Sequence, residues 1–226
     1  LSDGAIVGIE VDFGSNDGSG DWTIEDSIVQ MNGHWSTYSR HITGIRLGAY
    51  ISDAYIDSIL KLGGTFETLM HLSSLLDEQQ SNYEIVGMEI AFTRIKEVYL
   101  TYVGRVIGQW DGPYSLERGW RLDFWSNENV NTTLTIAESL YVDVNVTKCT
   151  HSIHGVEAMI FNTKVVNAWN DFTVKGNWDG VGSFSETRGI SIVYYGANYV
   201  DHSHGNYNVN INVNDSTVIP DENSHT

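Results

Sequence analysis

Several residue types are scarce in this chain of 226 residues, and each scarcity limits the structures that the chain can form. Cys149 is the one cysteine, so no disulfide can form within the chain, and it either stays free or pairs with another chain. There are 2 prolines, which suits a protein of many hydrogen-bonded strands, because proline cannot donate to a strand ladder. No apolar run is long enough for a membrane-spanning helix. The fold is therefore expected to depend on its hydrophobic core.

Basic residues are also scarce, with 12 Lys and Arg against 29 Asp and Glu, for a net charge of −17. Nucleic acids and anionic membrane surfaces select basic patches, so the charge argues against both as partners. The acidity favours solubility, and alternatively the binding of divalent cations by carboxylate loops. Hydrophobic residues make up 41% of the chain, enough for a sizeable core. We expect one all-β domain over residues 1–226, with a polar tail from about residue 217.

Glycine is abundant, and it marks an internal repeat. A short apolar segment centred on glycine, of the kind Ile-Xaa-Gly-Ile-Xaa-Leu, recurs along the chain at intervals of 32 to 43 residues. The central glycines are Gly8, Gly44, Gly87, Gly119, Gly155 and Gly189. Self-similarity at such intervals is typical of repeat architectures, so these segments should occupy equivalent positions in the fold.

The fullest copy of the repeat lies between Arg40 and Gly64. Apolar and polar residues alternate on both sides of Ser52 and Asp53, which predicts two strands joined as a β-hairpin. Residues 65–82 show apolar residues at helical spacing and could form one helical insertion, or a strand and a long loop. Six hairpins predict about twelve antiparallel strands, which would divide into the three sheets of a β-prism. A propeller or a trefoil could use similar hairpins.

The hairpin at residues 42–62 resembles a strand pair of the jacalin-like lectins, and Trp110-Asp111-Gly112 with the residues around it resembles a linking loop of that family. The plan is also similar to that of the vitelline membrane outer layer protein family. These resemblances imply a β-prism and a carbohydrate-binding protein. They also imply a sugar site built from a glycine, an aromatic residue and an aspartate on one loop. The matching positions are Gly196, Tyr199 and Asp201, with Tyr55 and Asp57 as a second site.

Aromatic residues supply a different hypothesis. They make up 12% of the chain, and flat rings suit sugars as well as long apolar ligands. The candidates for ligand contact are Trp110, Trp178, Tyr194 and Tyr195. The alternative function is a carrier of a carotenoid or lipid, bound on an outer sheet face and covered by a partner chain in a homo- or hetero-oligomer.

The remaining candidates concern metals, modification and catalysis. Asp17, Ser19 and Asp21 alternate in a glycine-rich tip that could bind calcium, and His202 and His204 have the spacing of metal ligands on one strand face. Three sequons, together with a start that lacks methionine, predict a secreted glycoprotein. The acceptor residues are Asn131, Asn145 and Asn214. No catalytic motif stands out, so we expect a binding protein rather than an enzyme.

Overall fold

The structure is a computed structural model that describes residues 5–12, 22–35, 41–49, 56–74, 84–93, 95–125, 133–180, 186–195, 198–199 and 204–215. These residues form strands and short turns, and none of them is helical. The first seven strands are β1 (Ala5–Asp12), β2 (Trp22–Trp35), β3 (His41–Ala49), β4 (Ile56–Ser74), β5 (Glu84–Thr93), β6 (Ile95–Leu100) and β7 (Val103–Asp111). The next seven are β8 (Leu116–Trp125), β9 (Thr133–Cys149), β10 (Ser152–Phe161), β11 (Lys164–Gly180), β12 (Glu186–Tyr195), β13 (Asn198–Tyr199) and β14 (His204–Asp215).

The strands form two sheets that wind into a parallel β-solenoid. Sheet A has the order β1-β3-β5-β8-β10-β12. Sheet B has the order β13-β11-β9-β6-β4-β2, with β14 beside β11 and with β7 between β4 and β9. Each coil of the solenoid places one strand in sheet A and the following strand or strands in sheet B. Every strand pairs in parallel with its counterpart from the neighbouring coil.

The repeat that the sequence predicts is a column of stacked positions in sheet A. Ile42 pairs with Ile85, and Val156 pairs with Trp120 on one side and Ile190 on the other. A Cβ atom built on Gly44 would lie 2.5 Å from the carbonyl oxygen of Gly87, and the same distance from Gly119 to Gly155 is 2.6 Å. We call the six repeat glycines the glycine column. Glycine is needed here because a side chain would collide with the next coil and with sheet B.

The predicted β-hairpins and the β-prism are wrong. β3 and β4, the two halves of the fullest copy, lie in different sheets, and β3 pairs in parallel with β1 and β5 instead. The strands number fourteen in the described part of the chain and form two sheets rather than three. Residues 65–74, for which a helix was one expectation, belong to β4, and the rest of that segment lies outside the described residues.

The core lies between the two sheets and is filled by aliphatic and aromatic side chains. Ile45, Met88 and Val156 follow column glycines in sheet A, and each is fully buried. From sheet B, Val106, Val142 and Val174 face the column, with Val142 Cγ1 2.4 Å from the Cβ position of Gly119. Glycine in one sheet and valine in the other therefore let the two sheets approach closely.

Sheet B is interrupted in one coil. β6 ends at Leu100 and β7 begins at Val103, and both pair with the long strand β4. At the level of this interruption, Gly64 adopts a φ of 69° and Asp26 a φ of 51°. The Asp26 carboxylate accepts a hydrogen bond from the backbone N–H of Thr65 at 2.8 Å. β4 and β9 pass this interruption as continuous strands, since each pairs with both β6 and β7.

Candidate ligand-binding face

The outer face of sheet A carries charged side chains that stack between coils. Two residues after each of the first five column glycines, the side chain alternates in sign from coil to coil, as Glu10, Arg46, Glu89, Arg121 and Glu157. Because the strands are parallel and in register, each charge lies beside an opposite one. The Arg46 side chain, for example, donates to Glu89 at 2.8 Å and lies 3.6 Å from Glu10. Stacking in register therefore turns a repeat of mixed charges into favourable pairs.

A second column of ionisable side chains lies one residue before the last three column glycines, as Arg118, His154 and Arg188. Arg118 donates hydrogen bonds to Glu84 in the preceding coil and to Glu157 in the following coil. His154 lies 3.2 Å from Glu157. These side chains are largely buried although they point outward, with Arg118 11% exposed. We call Arg118 and the ion-paired residues around it the charge lattice: Arg46, Glu84, Glu89, Arg118, Arg121, Asp123, His154 and Glu157.

The lattice shifts the pKa values of its carboxyl groups. Burial on its own would raise the pKa of Glu157, but the hydrogen bond with His154 and the charge of Arg118 outweigh it and lower the pKa to about 2. For Asp123 the balance is reversed, because burial raises the pKa more than Arg121 lowers it. The charged groups of the lattice form ion pairs with one another, so the main role of the lattice is to hold adjacent coils together.

Next to the lattice, exposed aromatic rings run across sheet A. Trp125 and Phe161 stack with ring centroids 4.0 Å apart, and Phe161 and Tyr195 stack at 4.8 Å. Trp125 is 48% exposed and Tyr195 is 53% exposed. All three residues come six positions after a column glycine. We call them the aromatic column. A contiguous exposed aromatic patch makes this face the candidate for ligand binding.

The outer face of sheet B is mostly polar, although Ile28 and Val103 are exposed there, and it shows no stacked rings among the described residues. Tyr141 lies between two cations, with Arg105 at 5.9 Å and Lys175 at 5.1 Å from its ring centroid. The Asn145 side-chain oxygen accepts hydrogen bonds from the backbone and side-chain N–H groups of Asn177, at 3.0 and 3.2 Å. These contacts again join adjacent coils, which suggests that the face is structural.

Two of the predicted ligand contacts lie in the core. Trp110 and Trp178 are each 1% exposed, and the Trp178 ring N–H donates to the carbonyl of Val144 at 2.9 Å. The glycine two positions before each ring makes room for it, since a Cβ on Gly176 would lie 2.5 Å from the ring nitrogen of Trp178. The sequence motif Gly-Xaa-Trp therefore serves packing. Tyr195 is the predicted contact that the structure shows on an exposed face.

Most of the other predicted site residues fall where the structure describes little. Asp17, Ser19, Asp21, Tyr55, Asn131, Gly196, Asp201 and His202 lie outside the described residues. Asp57, Tyr199, His204 and Asn214 lie in strands, while Tyr194 lies in β12, and none of their side chains is described. Asn145 lies in β9 on the outer face of sheet B, away from the aromatic column. The proposed metal and sugar sites therefore stay predictions.

Three buried polar groups lie close to the core. Glu138 is 1% exposed, and burial raises its pKa to about 8, which a hydrogen bond with Tyr102 only partly offsets. The Tyr102 hydroxyl also accepts from the Trp120 ring N–H at 2.8 Å. Burial likewise raises the pKa of Glu117, with a further contribution from the charge of Asp111. The Glu138 carboxyl group is therefore protonated near neutral pH or below it, as suits an apolar interior.

Trp125 and Phe161 are the functional candidates that the sequence did not single out. The signal was present, because an aromatic residue stands at the same offset from three consecutive column glycines. Recognising it required knowing that equal offsets mean stacked side chains, which holds in a parallel solenoid and not in a set of hairpins.

Among the described residues, the structure contains no helix that is long and apolar enough to span a membrane. Comparison with known proteins gives no matching family model, no matching curated protein and no matching solved structure.

Proposed function

We propose that this chain is a non-enzymatic binding protein that holds a glycan chain along the aromatic column. The observation that supports it is the exposed stack of Trp125, Phe161 and Tyr195. Because the rings come from successive coils, the column runs along the solenoid axis and crosses the strands. A linear ligand with a repeating structure would meet a ring at each of three consecutive coils, so several weak contacts add along one chain.

The chemistry beside the column also suits a glycan. Apolar C–H groups of a sugar pack on aromatic rings, and its hydroxyl groups need donors and acceptors nearby. Asp123 lies two residues before Trp125 and therefore on the same outer face, bonded to Arg121. The lattice supplies carboxylate and guanidinium groups whose positions are already fixed. A preorganised surface reduces the entropy that binding costs.

A glycan array probed with the wild-type chain, with and without calcium, tests this function. Trp125→Ala and Tyr195→Ala should each weaken binding about tenfold, which corresponds to about 1.4 kcal/mol. Ile28→Ala is the matched control, because Ile28 is 70% exposed on sheet B. Binding that persists in both aromatic variants, or a wild type that binds no glycan, would contradict the proposal.

The second candidate is an apolar ligand such as a carotenoid or lipid. Met159 and Val193 are half-buried beside Phe161 and Tyr195, so part of the surface along the column is apolar. Such a ligand would lie on the outside of the solenoid, with a partner chain covering it. An absorbance spectrum of native material distinguishes the two functions. A visible band that shifts on unfolding supports the carrier, whereas tryptophan and tyrosine absorption alone, with no extractable lipid, removes it.

The proposal includes that the chain is secreted and carries N-linked glycans. Asn145 lies on sheet B, so a glycan attached there would leave the aromatic column accessible. The intact mass of material from a secreting host should exceed the 25.2 kDa of the chain. A mass equal to that of the bare chain would contradict glycosylation.

A further inference from the structure

The two ends of the solenoid leave apolar side chains incompletely covered by the described residues. In the central coils the inward-facing side chains are buried, as Met88 and Val156 illustrate. In the terminal coils, most of the equivalent residues are only partly buried, although Val29 is buried. The partly buried ones are Ile6, Ile9, Val11, Ile24 and Met31 at one end, and Ile190, Ile192 and Ile211 at the other. Within the described ranges, β1 and β2 have a partner strand on one side only, as do β12 and β14.

The glycine column has a direction, because the Cβ position of a column glycine faces the carbonyl oxygen of the next one along the chain. The two ends of the column are compatible with its continuation. A Cβ on Gly155 would lie 2.6 Å from the carbonyl oxygen of Gly189 in the next coil. At Gly189 the nearest atoms are those of Val209, from the same coil, and no backbone carbonyl of a described residue is near. Gly8 stands at the opposite end, and its own Cβ position faces the carbonyl of Gly44. A coil that began with Gly8 could therefore follow Gly189 and continue the column.

The charges at the two ends are complementary under the same continuation. Arg118, one residue before its column glycine, donates to Glu157, two residues after the next column glycine. In the last coil, Arg188 precedes its column glycine as Arg118 does. In the first coil, Glu10 follows its column glycine by two residues, as Glu157 does. The side chains of Arg188 and Glu10 are 45% and 51% exposed, against 11% for Arg118. Continuing the solenoid would give Arg188 the partner that Arg118 has already.

Sheet B is matched in the same way. Val209, which is 50% exposed and faces Gly189, would stack on Val29, which faces Gly8. Beside them, the exposed Asn210 would lie next to the exposed Gln30. Side-chain amides already bond across coils in this sheet, as Asn145 and Asn177 do. Apolar residues would meet apolar ones, and amides would meet amides.

We propose that copies of this chain stack head to tail, with β12 and β14 of one copy pairing in parallel with β1 and β2 of the next. The backbone N–H and C=O groups of edge strands are a template for pairing with another chain. The two contacting surfaces differ, so each copy keeps one surface open, and stacking by translation produces an open filament rather than a closed dimer. This proposal does not depend on the proposed ligand.

Sedimentation of the full chain over a series of concentrations tests the stacking. The wild type should show mass that rises with concentration beyond the dimer, and electron microscopy should show rods one molecule wide. Arg188→Glu and Glu10→Arg should each weaken association about tenfold, since each brings like charges together. The double variant restores an opposite pair and should recover most of the affinity.

Arg105→Glu is the matched control, because Arg105 is 47% exposed, is paired with Glu67 and lies in the middle of sheet B. It should leave association unchanged, and circular dichroism should show that all four variants keep the wild-type fold. A chain that stays monomeric at every soluble concentration would overturn the proposal. So would assembly that stops at a dimer, or assembly that neither charge reversal weakens.

Discussion

The central and terminal coils of this solenoid carry the same sequence motif in different surroundings. Ile45 and Ile190 both follow a column glycine, yet Ile45 is fully buried whereas Ile190 is partly exposed. Arg118 and Arg188 both precede a column glycine, and only Arg118 is held between two carboxylates from neighbouring coils. Burial here depends on the coil above and the coil below. The energetic role of a residue is therefore set by its coil as well as by its type.

The largest difference is expected between Arg118 and Arg188. Arg118→Ala would leave Glu84 and Glu157 without their main cation in a poorly hydrated place, which should destabilise the fold by about 3–5 kcal/mol. Arg188→Ala removes an exposed pair and should cost less than about 1 kcal/mol. Urea unfolding at neutral pH and low protein concentration measures both. Equal losses would show that the coils do not differ as described.

The buried carboxyl group of Glu138 should make stability depend on pH. Its pKa in the folded state is about 8, above the ordinary value of 4.5. The stabilisation is thus fully present below about pH 4.5 and is lost as the pH rises through about 8, because the unfolded chain releases the proton first. Glu138→Gln should remove this part of the decline in the free energy of unfolding. At pH 9 the variant should be more stable than the wild type by about a few kcal/mol.

The control for Glu138→Gln is Glu25→Gln, since Glu25 is exposed in the first coil. Unfolding by urea at several pH values between 5 and 9 gives the comparison. A decline that is the same in wild type and Glu138→Gln would show that another group causes it.

Gly119 and Gly189 differ in the space around their Cβ positions, because Gly119 lies in a central coil and Gly189 in the last coil. Alanine at 119 would collide with the carbonyl of Gly155 and with Val142, so Gly119→Ala should cost about 1–3 kcal/mol or more. Alanine at 189 meets only Val209 among the described residues, and that side chain can adjust. We expect Gly189→Ala to cost less than half as much in the same unfolding assay. The reverse order would contradict the direction of the glycine column.

The smallest expected effect concerns Cys149, whose thiol donates to the carbonyl of Ser152 at 3.3 Å. Burial and the charge of Glu117 raise the pKa of this thiol, so little thiolate forms at neutral pH. A thiol reagent should modify the folded chain slowly and the urea-unfolded chain rapidly, with stability unaffected before modification. Rapid modification of the folded chain would show that its coil opens easily.

The sequence predicted strands and repeats correctly but could not give their pairing. Alternating residues on both sides of Ser52 and Asp53 are typical of a hairpin and equally of two strands on adjacent sides of a coil, because both have a period of two. The sign alternation from Glu10 to Glu157, which the predictions did not use, is the better signal. Such a series stabilises a parallel stack in register and has no purpose in separate hairpins.

The candidate site was harder to predict than the strands. Trp110 and Trp178 follow glycines and looked like rings on loops, but those glycines make space for buried rings. Trp125 and Phe161 looked ordinary until stacking placed them together. Side-chain neighbours in a solenoid come from the next coil, more than 30 residues away, and local pattern says little about them.

The in-register pairing of each strand with its counterpart one coil away has a consequence for how the chain folds. Ile42 meets Ile85, and Ile153 meets Glu117, so a whole coil must be closed before its first ladder hydrogen bond forms. Closing such loops carries an entropy cost at the start, which makes the first pair of coils slow to form. Once two coils are in place, they act as a template on which the next coil can add, and folding spreads along the axis from that nucleus.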